Sequence, residues 1–273
     1  MATTIVSATQ LPVFGTVMRT CDLLAWHFFR AIIYYIVVVL LIVAMSIVLY
    51  HVIGEPDFQR NPPPLDKALP FLGMTFAFVL VEIVYFVAMT RLGASNRVDE
   101  SHLLGLRWWG RETCVLLRSI LVSLILGVIA VPAVFVIGFV AGAAGVAAGG
   151  PLPLPFMIAM YLLLIPLLYL AGRFSLYLCS PAFGERLGLG QSWQLTRGNG
   201  WRLFLILFFL HAPFAFLIFV LDQTLPMIGT LTYSIATGVV TVLWVMVSGF
   251  GAALVYRAFV PAQAAQTPAS VAH

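Results

Sequence analysis

Residues 173–202 read RFSLYLCSPAFGERLGLGQSWQLTRGNGWR. Four of the 14 lysines and arginines and two of the six tryptophans fall in this stretch, which lies between two long apolar runs. Arginine and tryptophan both favour the boundary between lipid and water, and arginine marks the cytoplasmic side of that boundary. The segment therefore reads as a cytoplasmic loop between two membrane crossings, and the remainder of the chain is read outward from it.

The composition agrees. The chain of 273 residues is 62% hydrophobic and 9% charged, with a mean hydropathy of +1.06. Soluble domains are about 45–50% apolar and about 25% charged, so too little polar surface is present here to face water. The formal charge of +4 bears less on nucleic acid, which is not expected as a partner, than on how the charges are placed around a bilayer. The three cysteines, Cys21, Cys114 and Cys179, lack metal-ligand or paired spacing. No metal or other cofactor is expected.

Upstream and downstream of the loop, six apolar runs are long enough to cross about 30 Å of hydrocarbon at 1.5 Å per residue. They cover roughly 31–51, 68–91, 114–139, 156–178, 203–221 and 227–256. The expected fold is an all-α membrane protein of six transmembrane helices with cytoplasmic amphipathic interfacial helices. Its organisation is an N-terminal cytoplasmic or interfacial segment (1–30), a transmembrane domain (31–258) and a disordered cytoplasmic tail (259–273). The start lacks the features of a cleaved signal peptide, and the first run reads as a signal anchor. No lipidation motif is present.

Within 11–30, Leu11, Phe14, Val17, Met18, Leu24 and Phe28 recur at helical spacing while Arg19, Thr20 and Asp22 fall elsewhere. That pattern predicts a helix lying in the headgroup layer. Residues 103–111 form a second candidate of the same kind, and the triple proline at 62–64 predicts an extended connector. Pro132 predicts a kink in the third span. Gly138 and Gly142 make a GxxxG pair that would let helices approach closely.

Counting Lys and Arg by loop gives the orientation. Twelve of the 14 fall before the first span, after the even-numbered spans or at the edges of those segments, and only Arg60 and Lys67 fall on the other side. Both termini are therefore expected in the cytoplasm. The aromatic–basic clusters at Trp26–Arg30, Arg107–Arg111 and Asn199–Arg202 precede the odd-numbered spans, and this suggests three repeated hairpins.

Inside the loop, Pro181 should end or bend the fourth helix. Gly188 and Gln191 form a capping pair for a short helix reaching Arg197, and Gly198-Asn199-Gly200 supply a left-handed stop. The run SPAFGERLGLGQSWQLTRGNGWRLF resembles the signature loop of a family of bacterial six-span inner-membrane proteins. That family includes YciC-like proteins and the membrane domain attached to some glycerophosphodiester phosphodiesterases. The likeness covers about 35 residues and implies the six-span fold and a bacterial inner membrane, with no catalytic or binding residues attached. Gln191 stands where many members carry an acidic residue, which implies a weaker cap.

Two sets of residues carry the functional readings. Glu82 lies inside the second span, where a carboxylate costs about 2.5–3.5 kcal/mol unless neutral, paired or wet. With Tyr85 one turn away, and His211 and Arg173 as candidate partners, it would form an intramembrane polar site or a packing pair. His211 by itself reads as a core histidine bonded to a backbone carbonyl.

The second set is the belt of Trp26, Arg30, Arg107, Trp108, Trp109, Arg111, Arg186, Trp193, Arg197, Trp201 and Arg202. It would anchor the protein and hold anionic lipid headgroups at about 1 kcal/mol per basic residue. No nucleophile elbow, zinc-protease motif, phosphate loop or dinucleotide fingerprint is present, and a noncatalytic role is expected. The leading expectation is a protein that organises membrane lipids, other membrane proteins or copies of itself through its basic face. The alternative is a small transporter or proton-coupled carrier using Glu82.

Overall fold

The computed structural model describes residues 11–34, 36–53, 65–95, 110–143, 154–224 and 230–260. All regular structure among them is helical. The elements are α1 (Val13–Tyr34), α2 (Ile36–Ile53), α3 (Leu65–Ser95), α4 (Gly110–Ala143) and α5 (Leu154–Cys179). A 3-10 turn (Ser180–Phe183) follows, then α6 (Leu189–Leu195), α7 (Gly200–Thr224) and α8 (Thr230–Phe259).

Five of these helices are long and apolar enough to span a bilayer, and α1 with α2 forms a pair bent by 87° that passes the same test as a unit. The sequence boundaries for the later spans hold to within a few residues. The first does not: the helix through Arg30 continues unbroken to Tyr34, and the second helix begins only at Ile36. The hydropathy rise at Ala31 therefore falls inside α1 and does not mark its end.

In α1, the residues turned inward are Leu11 just ahead of it and then Thr16, Thr20, His27 and Ala31, all buried. Phe14, Met18, Phe29 and Ile33 stay exposed on another face, and Arg19, Asp22 and Arg30 are exposed beside them. Thr20, expected off the apolar stripe, is thus fully enclosed. Its hydroxyl donates to the Thr16 carbonyl at 2.8 Å, which satisfies it within the helix and lets a polar residue face a packed interior.

The centre of the molecule is α8. It packs against α1, α2, α3, α5 and α7, and 56% of its spanning window is buried, against 6% for α4. Its most intimate contact is with α3. A Cβ built on Gly249 would lie 2.5 Å from the Met89 Cβ, 3.0 Å from the Thr90 nitrogen and 3.1 Å from the Phe86 oxygen. Without an apolar driving force between helices in lipid, small residues that admit a neighbouring backbone supply the association. Gly138, half of the GxxxG pair expected to do this, faces nothing within 4 Å. Pro132, Pro166 and Pro213 lie inside α4, α5 and α7 without ending them.

Two apolar clusters flank α8. One joins Ala31, Val38, Ile42, Tyr85, Met89 and Phe250; the other joins Leu11, Leu176, Leu203, Ile206 and Tyr256. The second ties the membrane bundle to the loop after α5.

Candidate functional site

The loop is a plate tied together by polar side chains, most of them its own. Pro181 sits at the start of the 3-10 turn that closes α5, and Gly184 then takes φ +79°. The Gly188 N–H donates to Gln191 Oε1 at 2.9 Å, one half of a capping box, since glycine has no side chain to complete the other. Gly198 takes φ +83°, the left-handed stop expected after α6.

Ser192, wholly buried, accepts from the Tyr177 N–H at 3.2 Å and donates to the Arg173 carbonyl at 2.8 Å. The Arg173 guanidinium donates to the Trp193 carbonyl at 2.6 Å and to the Thr196 carbonyl at 3.3 Å, and lies 4.0 Å over the Trp193 ring. These carbonyls are at the C-terminal end of α6, where intrahelical donors run out and a cation is favoured. Arg173 is therefore a fastener of α6 to α5. That corrects its candidate place beside Glu82: its charge is spent on two carbonyls within its own loop.

Further ties complete the plate. Asn199 Oδ1 accepts from the Leu11 N–H at 3.3 Å, and Arg202 donates to the Leu11 carbonyl at 3.2 Å. Arg118 reaches the Tyr177 carbonyl at 2.6 Å as well as the Ser180 hydroxyl. The Tyr256 hydroxyl donates to Glu185 at 2.6 Å, and its ring stacks on Phe183 at 4.0 Å.

Against this scaffold the expected headgroup residues separate. Trp26, Arg30, Arg111, Arg186, Trp193, Arg197 and Trp201 are exposed. Arg202 is partly buried and holds α1 in place. Arg107, Trp108 and Trp109, with the second candidate interfacial helix up to residue 109, lie outside the described residues.

The second site lies within the bundle. A partly open cavity of about 490 Å³ is enclosed by α3, α4, α5, α7 and α8, with Glu82, Ser119, Ser175, His211, Trp244 and Ser248 among its lining residues. Glu82, Ser119, His211 and Ser248 lie well inside α3, α4, α7 and α8, whereas Ser175 lies in the last turn and a half of α5.

His211 Nδ1 lies 2.7 Å from the Leu207 carbonyl, and its Nε2 lies 3.1 Å from the Ser248 hydroxyl. That hydroxyl also approaches the Trp244 carbonyl at 2.7 Å. A carbonyl only accepts, so Nδ1 carries a proton. The histidine bonded to a backbone carbonyl was legible from sequence; its bond to Ser248, 37 positions away, was not.

Tyr85 does not join Glu82. It is fully buried in the cluster between α2 and α8 and takes no part in lining the cavity. Three positions along a helix leave two side chains about 60° apart on adjoining faces, and here that offset crosses from the cavity wall to the α2–α8 cluster. Ser119, Ser175 and Ser248 were missed in the sequence because isolated serines in apolar runs bond to their own helix and carry no pattern. No cluster of three metal-ligating side chains occurs among the described residues. Comparison with family models, with curated proteins and with solved structures returns no match.

Proposed function

We propose that this chain is a noncatalytic, multi-pass protein of a bacterial inner membrane, with six crossings and both termini in the cytoplasm. Its basic face holds anionic lipid headgroups or partner proteins, as the resemblance of its signature loop to the six-span family also suggests. The supporting observation is the plate itself: buried Arg173, Ser192 and Thr196 spend their polarity on fixing α6 and buried Asn199 on holding Leu11, while Arg186, Trp193, Arg197 and Trp201 are left exposed. Fixed, exposed arginines beside tryptophans suit a phosphate-bearing surface.

At about 1 kcal/mol per arginine, Arg186→Gln with Arg197→Gln should weaken retention of anionic lipid by about thirtyfold. Lipid co-purification measured by native mass spectrometry tests this. Unchanged retention in a correctly folded double variant would remove the reading.

A second reading, a small carrier using Glu82, is favoured by one observation: Glu82 and His211, from different helices, line the same cavity. The carboxylate of a packing residue would sit in a dry helix contact, whereas this one borders open space. Glu82→Gln should abolish flux and leave assembly intact. Failure of that variant to accumulate, with Glu82→Leu accumulating well, would make the residue structural.

A further inference from the structure

The lining of the mid-span cavity has an asymmetry of charge. Glu82 is its one acidic side chain, and no lysine or arginine borders it among the described residues. Arg173, the candidate counter-charge from the sequence, is committed to the carbonyls of Trp193 and Thr196. His211 has both ring nitrogens engaged, by Leu207 and Ser248. Among the described residues no hydrogen bond or ion pair is made to the Glu82 carboxylate.

Apart from the hydroxyls of Ser119, Ser175, Thr241 and Ser248, the rest of the wall is apolar and aromatic, with Phe86 and Trp244 among its lining residues. At about 490 Å³ the cavity falls in the range of about 300–1,000 Å³ typical of small-ligand sites.

We infer that this cavity binds a lipophilic monocation, with Glu82 as its counter-ion and Phe86 and Trp244 as the faces that receive the organic body. The inference rests on the carrier reading of Glu82 and gives it a ligand class. Three physical terms favour such a ligand together. Its charge cancels that of an otherwise unpaired carboxylate at a depth where water is scarce. Its apolar groups lie against the apolar and aromatic residues that make up most of the wall. Aromatic faces attract cations and not anions. A neutral lipid tail would satisfy only the second term, and an anion would oppose the first.

The test uses the full-length protein in phosphatidylcholine nanodiscs, with tetraphenylphosphonium as probe and tetraphenylborate as an anion of the same shape. Saturable binding of the phosphonium is expected, with the borate at least about tenfold weaker, a difference of about 1.4 kcal/mol. Glu82→Gln should lower phosphonium affinity by at least about tenfold, Glu82→Asp should retain most of it, and the Arg186→Gln, Arg197→Gln double variant should leave it unchanged. Equal binding of the two ions, or no saturable binding of either, would overturn the inference on the wild-type protein alone, whatever the variants do.

Uptake into proteoliposomes above protein-free liposomes separates the two ideas. Phosphonium binding without uptake keeps the ligand class and removes the carrier. Glu82-dependent uptake of another solute, without phosphonium binding, keeps the carrier and refutes the ligand class.

Discussion

Replacing Gly249 with alanine adds one methyl group where α3 and α8 touch. The new carbon would lie 2.5 Å from the Met89 Cβ, 3.0 Å from the Thr90 nitrogen and 3.1 Å from the Phe86 oxygen. Ordinary contact needs about 3.4 Å or more, and two of the three atoms are backbone, so no rotamer change relieves the clash. The helices must separate along their closest seam. Overpacking of this kind costs about 1–3 kcal/mol, and a backbone obstacle puts it at the upper end. The gain in helix propensity from glycine to alanine returns about 1 kcal/mol. The net loss is therefore about 2 kcal/mol.

Gly251→Ala meets the Leu210 Cδ1 at 2.6 Å, the mobile end of a side chain that can swing aside, and should cost less than 1 kcal/mol net. Gly138→Ala meets nothing within 4 Å and should be neutral or slightly stabilising. Unfolding of the purified protein in mixed micelles, titrated with a denaturing detergent, measures the order. A Gly138 variant as damaged as the Gly249 variant would refute the reasoning, because it would place the close helix contact on α4 and away from α8.

Other substitutions probe the plate and the accessibility of its thiols. Ser192→Ala removes the hydroxyl that joins α6 to the Tyr177 N–H and the Arg173 carbonyl of α5 and should cost about 1–3 kcal/mol, with faster hydrogen exchange through α6. Arg173→Ala removes two charge-assisted bonds and a ring contact from α6. Proteolysis between Gly184 and Gly198 should then quicken, with the membrane helices intact. Gln191→Glu keeps the acceptor for the Gly188 N–H and adds a negative charge at a helix start. It should stabilise the loop by about 0.3–1 kcal/mol, read as slower exchange at Gly188. Maleimide in mild detergent should label Cys21 and Cys114 and spare Cys179, the one buried thiol; rapid labelling of Cys179 would contradict the packing of the α5 terminus.

The local devices of the loop were legible because each depends on only a few neighbouring residues. Proline at 181 removes a donor, Gln191 reaches back three residues, and Gly198 permits a positive φ whatever surrounds it. The approximate extents of the apolar helices were legible for a similar reason: hydropathy averaged over twenty residues is a property of the segment alone. The bend between α1 and α2 was misplaced by a few residues because both sides of it are apolar.

What the chain's order of residues could not decide is which way each helix faces. In a soluble protein the polar face points outward and names the buried one. Here lipid is as apolar as the interior, so α8, at the centre, and α4, at the edge, are both apolar on every side. Only packing chose Gly249 over Gly138 as the point of contact, turned Tyr85 away from Glu82, engaged Arg173 with α6, and brought Glu82 and His211 to one cavity. Hydrophobicity determined that these segments are helices in a membrane; the fit of small residues against neighbouring backbones decided their arrangement.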